Sequence, residues 1–209
     1  LAGSDITVAS GFMGDGEERV GPDIAYNQAR NEHLIVFQRM SSTGNLGEIS
    51  AVRLTAAGTI LGGGEFDIAD WPDNETAPRV GASRVADRWL VVWQSETANL
   101  SDVYARGVWI DGGGAIQMWG PVLVASTPIH ESHPDIGCHP EWRKCLVSWE
   151  QQYSSSTGEY GISSRTVDEN GGLGGPFDSR TLYIGETTNC ADPAVGAGKA
   201  GWLVAWEHD

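Results

Sequence analysis

Four copies of a short apolar segment constrain this chain more than any other feature. Leu90-Val91-Val92-Trp93 recurs, with substitutions, at residues 34–37, 146–149 and 203–206. The aromatic residue that closes each copy stands at position 37, 93, 149 or 206, so the copies are 56, 56 and 57 residues apart. A proline precedes each copy, at position 22, 78, 134 or 193. A period of this length predicts an array of repeated units, each packed against its neighbours.

The residues between these copies indicate short β-strands. The 209 residues include 28 glycines and 9 tryptophans, and glycine-rich turns between runs of Val, Ile, Thr and Trp are typical of strands. No segment shows helical periodicity over even ten residues. The expected strands are residues 23–26, 33–38, 49–54 and 65–69 in the first unit, 79–82, 89–94, 103–110 and 122–125 in the second, 135–138, 145–150, 161–167 and 181–184 in the third, and 194–197 and 202–207 in the fourth.

The repeated strand is apolar on both faces, which suits a sheet that is stacked between two others. The first strand also carries a small residue at one fixed place, where strands converge: Ala25, Gly81, Gly137 or Gly196. We therefore expect one all-β domain, a β-propeller-like array of four-stranded antiparallel blades with three complete units and partial blade strands at both ends. The expected boundaries are 1–21 (a strand that completes a blade), 22–77, 78–133, 134–192 and 193–209 (a partial blade).

A unit that reads Pro-x-Val-Ala, then Leu-Val-Val-Trp, then a glycine-turn hairpin resembles the units of bacterial β-propeller repeat proteins. The resemblance covers nearly all of the 209 residues. It implies a secreted or cell-surface protein, and it implies no particular activity. The signatures of Asp-box, WD and kelch propellers are absent from the sequence.

The charge of the chain excludes one class of partner. The formal net charge is -15 and the isoelectric point is about 4.5, so no basic stripe is present to bind nucleic acid. No apolar run approaches the length of a membrane span.

Two of the three cysteines are placed for a disulfide. Cys138 and Cys145 stand at the two ends of an expected hairpin, where cross-strand neighbours come close enough to be bonded. The alternative is a pair of unrelated core thiols. Cys190 is left over, either as a buried thiol or as a link to another chain.

Three charged residues occupy equivalent places at the entry of the first strands, near the central channel where propellers bind ligands. They are Asp23, Arg79 and Asp135. Two carboxylates with an arginine suit a sugar or a cation, or an acid and base pair. The alternative is that they are polar caps at the start of strands.

Four tryptophans fall outside the period: Trp71, Trp109, Trp119 and Trp142. An exposed tryptophan offers a stacking surface for a sugar, and the alternative is packing under a loop. Asn74 and Asn99 begin N-glycosylation sequons in expected loops.

Metal ligands are not required by the sequence. Asp111, Asp168 and Glu169 adjoin glycine turns as in calcium loops, but the equivalent turn of the first unit has Ala57. His130 and His133 have the spacing of a ligand pair, and the alternative is a solvated loop. We expect no metal and no cofactor, with calcium at the turns as the alternative.

We expect a secreted or cell-surface, non-enzymatic module that binds a partner or glycan, or that assembles with copies of itself. One alternative is a small carbohydrate-active enzyme, a glycosidase or lyase with carboxylates at the channel mouth. Another is a fragment of a longer propeller. Homo-oligomers would form by strand addition through the unfinished ends, which contain Asp5, Ile6, Thr7 and Val8 at one end and Leu203, Val204, Ala205 and Trp206 at the other.

Overall fold

The repeated apolar segments form the second strand of four antiparallel sheets in the computed structural model of this protein. The structure describes residues 5, 7, 8, 17–40, 46–153, 159–178 and 190–208, with only the backbone for residues 176–178. The strands are β1 (Glu18–Asn27), β2 (Glu32–Met40), β3 (Gly47–Thr55), β4 (Ile60–Ala69), β5 (Asn74–Ser83), β6 (Arg88–Glu96), β7 (Ser101–Ile110), β8 (Ile116–Met118), β9 (Val122–Ala125), β10 (Glu131–Cys138), β11 (Lys144–Gln152), β12 (Tyr160–Asp168), β13 (Leu173–Asp178), β14 (Cys190–Gly198) and β15 (Gly201–His208).

Each sheet is a meander in which strands that follow one another along the chain are paired. Blade 1 has the order β1-β2-β3-β4, blade 3 has β10-β11-β12-β13, and blade 4 consists of β14 and β15. Blade 2 has the order β5-β6-β7-β8, and β9 also pairs with β7. The first strand of each blade lies against the preceding blade, since β5 contacts β1, β2 and β3, β10 contacts β5, β6 and β7, and β14 contacts β10, β11 and β12. The all-β, propeller-like array is therefore confirmed.

The blades differ in detail from the expected units. The first strand of each blade, called the inner strand from here on, begins three or four residues before its proline and not at it. The fourth strand of blade 3 is Leu173–Asp178, and the expected strand at 181–184 lies outside the described residues. At the N-terminus, Ile6 lies outside the described residues, while Asp5, Thr7 and Val8 are described without a strand assignment. Val8 packs against a small apolar cluster of blade 1 that includes Phe37.

The core consists of apolar layers between neighbouring blades. One layer joins blades 1 and 2 and contains Leu34, Val36, Trp89 and Trp93. A second layer joins blades 2 and 3, with Val92 and Trp149 among its members. The two-sided burial that the sequence predicts is complete in β6, where Trp89, Val91, Val92 and Trp93 are fully buried and Leu90 is nearly so.

The small residue of the inner strand is required by the close approach of neighbouring blades. A Cβ on Gly81 would lie 2.7 Å from the Cys138 Sγ atom, and a Cβ on Gly137 would lie 2.8 Å from a methyl group of Val195. At Gly196 of blade 4 the nearest atom would be 3.9 Å away. Close packing therefore fixes the small residue between two blades.

The outer faces of blades 1 and 4 carry exposed apolar side chains. Ile24 is 54% exposed and Leu203 is 74% exposed. Association of copies through these ends stays a prediction. No helix in the described part of the chain is long and apolar enough to cross a membrane.

Candidate active site

The four inner strands share a bulge at the residue before each proline. The φ angle at that residue is positive in all four strands: 58° at Gly21, 48° at Ala77, 47° at His133 and 50° at Asp192. The register of the pairing between the first and second strands changes at each of these places. A positive φ is costly for a residue with a side chain, so it persists only where the surroundings impose it. The bulge sets the direction of the residue that follows the proline. In blades 1, 2 and 3 that residue is Asp23, Arg79 or Asp135.

Two of these residues connect one blade to the next. The Oδ2 atom of Asp23 accepts a hydrogen bond from the backbone N–H of Val80 at 2.8 Å. Asp135 does the same for the N–H of Val195 at 2.5 Å. The carboxylates therefore hold blade 2 against blade 1 and blade 4 against blade 3, and one oxygen of each is left for other contacts.

Arg79 breaks this pattern at the junction of blades 2 and 3. It has no carboxylate to offer to the next inner strand, and its Nε atom instead lies 4.0 Å from the Oδ1 atom of Asp135. Its Nη1 atom donates to the carbonyl of Pro78 at 2.9 Å. The side chains of Arg79 and Asp135 are 41% and 24% exposed, so solvent and ligands reach both.

The charges of the three residues act on one another. Burial is the largest influence on Asp135 and raises its pKa, the charge of Asp23 raises it further, and hydrogen bonds from Val195 and Ile136 and the charge of Arg79 oppose the rise. The net pKa is above the ordinary value of an aspartate. The structure thus places the side chains of Arg79 and Asp135 together, and the charge of Asp23, in the bulge of β1, also acts on Asp135.

An ion pair that the sequence did not predict lies beside Arg79 and Asp135. The Nδ1 atom of His133 lies 2.9 Å from the Oε2 atom of Glu150, and Glu150 also accepts the backbone N–H of Asp192 at 2.8 Å. The hydrogen bond to Glu150 is the main cause of the raised pKa of His133, while the charge of Arg79 lowers it. Burial raises the pKa of Glu150, but the hydrogen bonds that it accepts outweigh burial and the net pKa is lowered. His133 therefore bears a positive charge more readily than a free histidine.

His130 does not join His133. Its Nδ1 atom lies 3.3 Å from the hydroxyl of Ser101. The two histidines therefore have different partners and do not form a ligand pair. The favoured interpretation of a solvated loop is wrong for His133, which lies in the bulge of β10. In the described part of the chain, no group of three or more His, Cys, Asp or Glu side chains is arranged to hold a metal ion.

A second set of carboxyl groups, also missed, lies three residues before two of the prolines. Glu75 and Glu131 are fully buried, and each has an Oε2 atom without a hydrogen-bond partner. Burial, with the charge of Asp73, raises the pKa of Glu75 to about 8. Burial, with the charge of Asp102, raises the pKa of Glu131 to about 7. Because both carboxyl groups are buried, a ligand does not reach them. Their protonation instead affects the stability of the fold.

The tryptophans outside the period do not gather at the three charged residues. Trp71 packs edge-on against Trp93 and Tyr104 in the core layer of blades 1 and 2. Trp109 lies 4.6 Å from the guanidinium of Arg88, and Trp119 packs in the layer of blades 2 and 3. Trp142 is 47% exposed, on the turn between β10 and β11.

The carboxylates beside the glycine turns form the turns themselves. Asp111 Oδ1 accepts the N–H groups of Gly113 and Ala115, both at 2.9 Å. Asp168 Oδ1 accepts those of Asn170 and Gly172, both at 2.8 Å. Glu169 instead forms an ion pair with Arg143. Calcium at these turns stays untested.

The fold of this chain resembles that of carbohydrate-degrading enzymes. No family model and no curated protein matches the sequence. Among solved structures, the α-L-arabinanase of Penicillium chrysogenum, complexed with arabinobiose, matches with a TM-score of 0.59 at 13% identity, over 91% of this chain and 57% of the arabinanase. An endo-arabinanase of Bacillus licheniformis from GH43 matches with a TM-score of 0.49 at 12% identity, over 90% of this chain and 73% of that one. The exo-β-1,3-galactanase of Phanerochaete chrysosporium gives 0.47 at 13%, over 92% and 46%.

These neighbours correct one expectation. The Penicillium structure is an arabinanase, so the expectation of a non-enzymatic module is contradicted, and the alternative of a carbohydrate-active enzyme is taken up as a proposal below. The chain spans just over half the length of the Penicillium arabinanase. Because no family model matches, the resemblance to bacterial repeat proteins reaches only the propeller-like fold.

Proposed function

We propose that this protein is a carbohydrate-active enzyme that cleaves glycosidic bonds, with Asp23, Arg79 and Asp135 at its active site. The observation that carries the proposal is the pairing of Arg79 with Asp135, whose Nε and Oδ1 atoms lie 4.0 Å apart, with Asp23 at the equivalent bulged end of the neighbouring inner strand. Glycoside hydrolysis uses two carboxyl groups, one that donates a proton to the leaving oxygen and one that stays ionised.

Asp135 is suited to be the proton donor. Its pKa is raised, chiefly by burial, and a carboxyl that keeps its proton towards neutral pH is an effective general acid. The N–H of Val195 occupies Oδ2, so we assign the proton to Oδ1, which lies 4.0 Å from the Arg79 Nε atom and therefore beyond hydrogen-bond distance of it.

Asp23 is suited to be the ionised partner. Its Oδ2 atom is held by the N–H of Val80, so the carboxylate has a fixed orientation and the Oδ1 atom is left to attack the sugar or to activate a water. Arg79 lies beside Asp135, and its positive charge opposes the rise in the pKa of that carboxyl. His133, whose pKa is raised chiefly by its hydrogen bond to Glu150, carries a second positive charge at the same edge whenever it is protonated.

The substrate class that we propose is a neutral plant or microbial polysaccharide, and the solved neighbours make arabinan and β-1,3-galactan the first to test. A secreted or cell-surface location belongs to this proposal, since polymers of this kind are extracellular. It is supported by the disulfide between Cys138 and Cys145, because disulfides persist in oxidising compartments.

The test is release of reducing sugar from linear arabinan and β-1,3-galactan by the native protein and by the Asp135→Asn and Asp23→Asn variants. We expect each substitution to lower kcat by about 100-fold or more. Asp70→Asn, at an exposed carboxylate at the end of β4, is the matched control and should retain full activity. Turnover that survives both active-site substitutions would refute the assignment.

A further inference from the structure

A groove on the tips of blade 3 shares no residue with the proposed active site. It lies between the turn that joins β10 to β11 and the turn that joins β12 to β13, and its volume is about 390 Å³. This volume is within the range of small-ligand sites. The lining residues are Trp142, Arg143, Lys144, Asp168, Glu169 and Asn170.

Trp142 is held rigidly at the wall of this groove. One face of its indole stacks on the imidazole of His139, with ring centroids 3.8 Å apart and planes 8° from parallel. An edge-on contact with Trp202 supports it at 5.2 Å. The fully buried His139 also fixes the turn, since its Nδ1 atom accepts the backbone N–H groups of Glu141 and Trp142 at 3.1 and 3.0 Å. The Trp142 side chain is nevertheless 47% exposed, so it presents a flat apolar surface to solvent in a fixed orientation.

The opposite rim of the groove is polar and equally well fixed. Glu169 forms an ion pair with Arg143 at 2.5 Å, and the indole N–H of Trp119 donates to the carbonyl of Glu169 at 3.2 Å. Arg88 donates to the same carbonyl and, at 3.4 Å, to the Oδ1 atom of Asn170. The amide nitrogen of Asn170 and the amine of Lys144 are exposed to solvent. The rim therefore offers hydrogen-bond donors and acceptors in set positions.

The charges of the groove cancel. Arg143 and Lys144 supply two positive charges, and Asp168 and Glu169 supply two negative charges. A site without net charge does not select a charged ligand. A flat aromatic surface beside paired donors and acceptors fits a sugar ring, because the ring has an apolar C–H face and hydroxyl groups around its edge.

We propose that this groove binds a segment of a neutral polysaccharide, with one sugar ring stacked on Trp142 and its hydroxyls bonded to the Arg143–Glu169 pair and Asn170. The inference rests on the proposed function, since it gives the polymer a second point of attachment outside the active site. Two attachment points on one polymer raise the effective concentration of the chain at the catalytic carboxylates.

The test measures retention of the protein in native gels that contain linear arabinan or β-1,3-galactan, with Asp135→Asn as the background that prevents hydrolysis. Adding Trp142→Ala to that background should weaken retention by at least about tenfold, as expected for a central aromatic anchor. Asn170→Ala should weaken it by a smaller factor. Ile60→Ala, which removes an exposed apolar side chain at the start of β4, should leave retention unchanged.

Circular dichroism of each variant shows whether it is folded. If Trp142→Ala does not fold, Asn170→Ala and Lys144→Ala decide, since both side chains are exposed. Retention that is unaffected by the groove substitutions, or no retention on either polymer, overturns the inference. Hydrolysis of small chromogenic glycosides by the native protein is scored separately. Hydrolysis without groove-dependent retention would support the proposed function and refute the binding groove. Groove-dependent retention without any hydrolysis would support the binding groove and refute the proposed function.

Discussion

The indole N–H of Trp202 donates a hydrogen bond of 2.8 Å to the backbone carbonyl of Gly137, across the junction of blades 3 and 4. Trp89 makes the equivalent contact with the carbonyl of Ala25 at 3.3 Å, across the junction of blades 1 and 2. In both cases a tryptophan at the start of a blade's second strand contacts the small residue in the inner strand of the blade before it. The two contacts join the second strand of one blade to the inner strand of the blade before it at the same place in the repeat.

The first prediction concerns this small residue. Gly137→Ala places a Cβ 2.8 Å from Val195, so we expect the free energy of unfolding to fall by about 1–3 kcal/mol. Gly196→Ala is the matched control at the same place in the repeat, where the nearest atom is 3.9 Å away, and it should be neutral or slightly stabilising. Urea denaturation of both variants makes the comparison. Equal effects would show that the spacing of the blades does not impose the glycine.

The second prediction concerns the junction of blades 2 and 3, where Cys145 replaces the tryptophan. Its disulfide with Cys138 closes a loop of sequence separation 7, so a double Cys→Ser variant should lose about 2–3 kcal/mol of stability. Non-reducing peptide mapping should find this link with Cys190 free, since Cys190 is an unpaired, buried thiol in the structure. An intermolecular link through Cys190 would contradict that assignment.

The fold could be predicted because the period repeats the same structural positions four times. Gly81 and Gly137, or Trp93 and Trp149, are recognisable as core positions once the copies are aligned, although each is uninformative alone. The disulfide followed from the same alignment, because it placed Cys138 and Cys145 on paired strands, and they are directly opposite in the structure.

The site could be predicted only in part. Asp23, Arg79 and Asp135 were visible as equivalent positions, but the pairing of His133 with Glu150 depends on the bulge, and a sequence pattern does not encode the register shift. Glu75 and Glu131 are equivalent too, and that signal was available in the alignment. The burial of these two carboxyl groups could not be predicted, because a carboxylate in an expected loop is normally solvated. The expectation of a non-enzymatic module was wrong, because the sequence pattern of these aspartates is the same whether they only join blades or also act on a ligand.

The third prediction concerns Arg79. Its positive charge lowers the pKa of Asp135, so Arg79→Met should raise that pKa further. If Asp135 is the proton donor, the alkaline limb of the pH profile of kcat/KM should move to higher pH. Titration of the Asp135 carboxyl by carbon-detected NMR gives the same shift without an activity assay. Arg84→Met, an exposed arginine in the turn between β5 and β6, should change neither, and a pKa that falls in Arg79→Met would contradict the arrangement.

The fourth prediction concerns the pH dependence of stability. The pKa of Glu75 is about 8 in the folded protein, against 4.5 for the ordinary group, so the folded state binds this proton more tightly than the unfolded state. The contribution of Glu75 is complete below pH 4.5 and is lost as the pH rises through about 8. Between pH 5 and 8 we therefore expect unfolding to become easier by an amount on the order of 2 kcal/mol or more.

Glu75→Gln cannot titrate, so it should lose much of this slope and be more stable than the native protein at pH 8. Part of the slope should remain, because the pKa of Glu131 is also raised, to about 7. The exposed Glu141→Gln should keep the native slope. Thermal unfolding at pH 5, 6.5 and 8 checks the set, and parallel curves for Glu75→Gln and the native protein would contradict the assignment.

The bulge before each proline has a consequence for how such a protein can evolve. The backbone there is held by the proline that follows and, in two cases, by a side chain of the preceding blade, as when Gln94 accepts the N–H of His133 and Glu150 accepts that of Asp192. The same conformation therefore occurs with glycine, alanine, histidine and aspartate. A gene that duplicates such a unit can alter the chemistry at the mouth of one blade by a point substitution and leave the other blades in register.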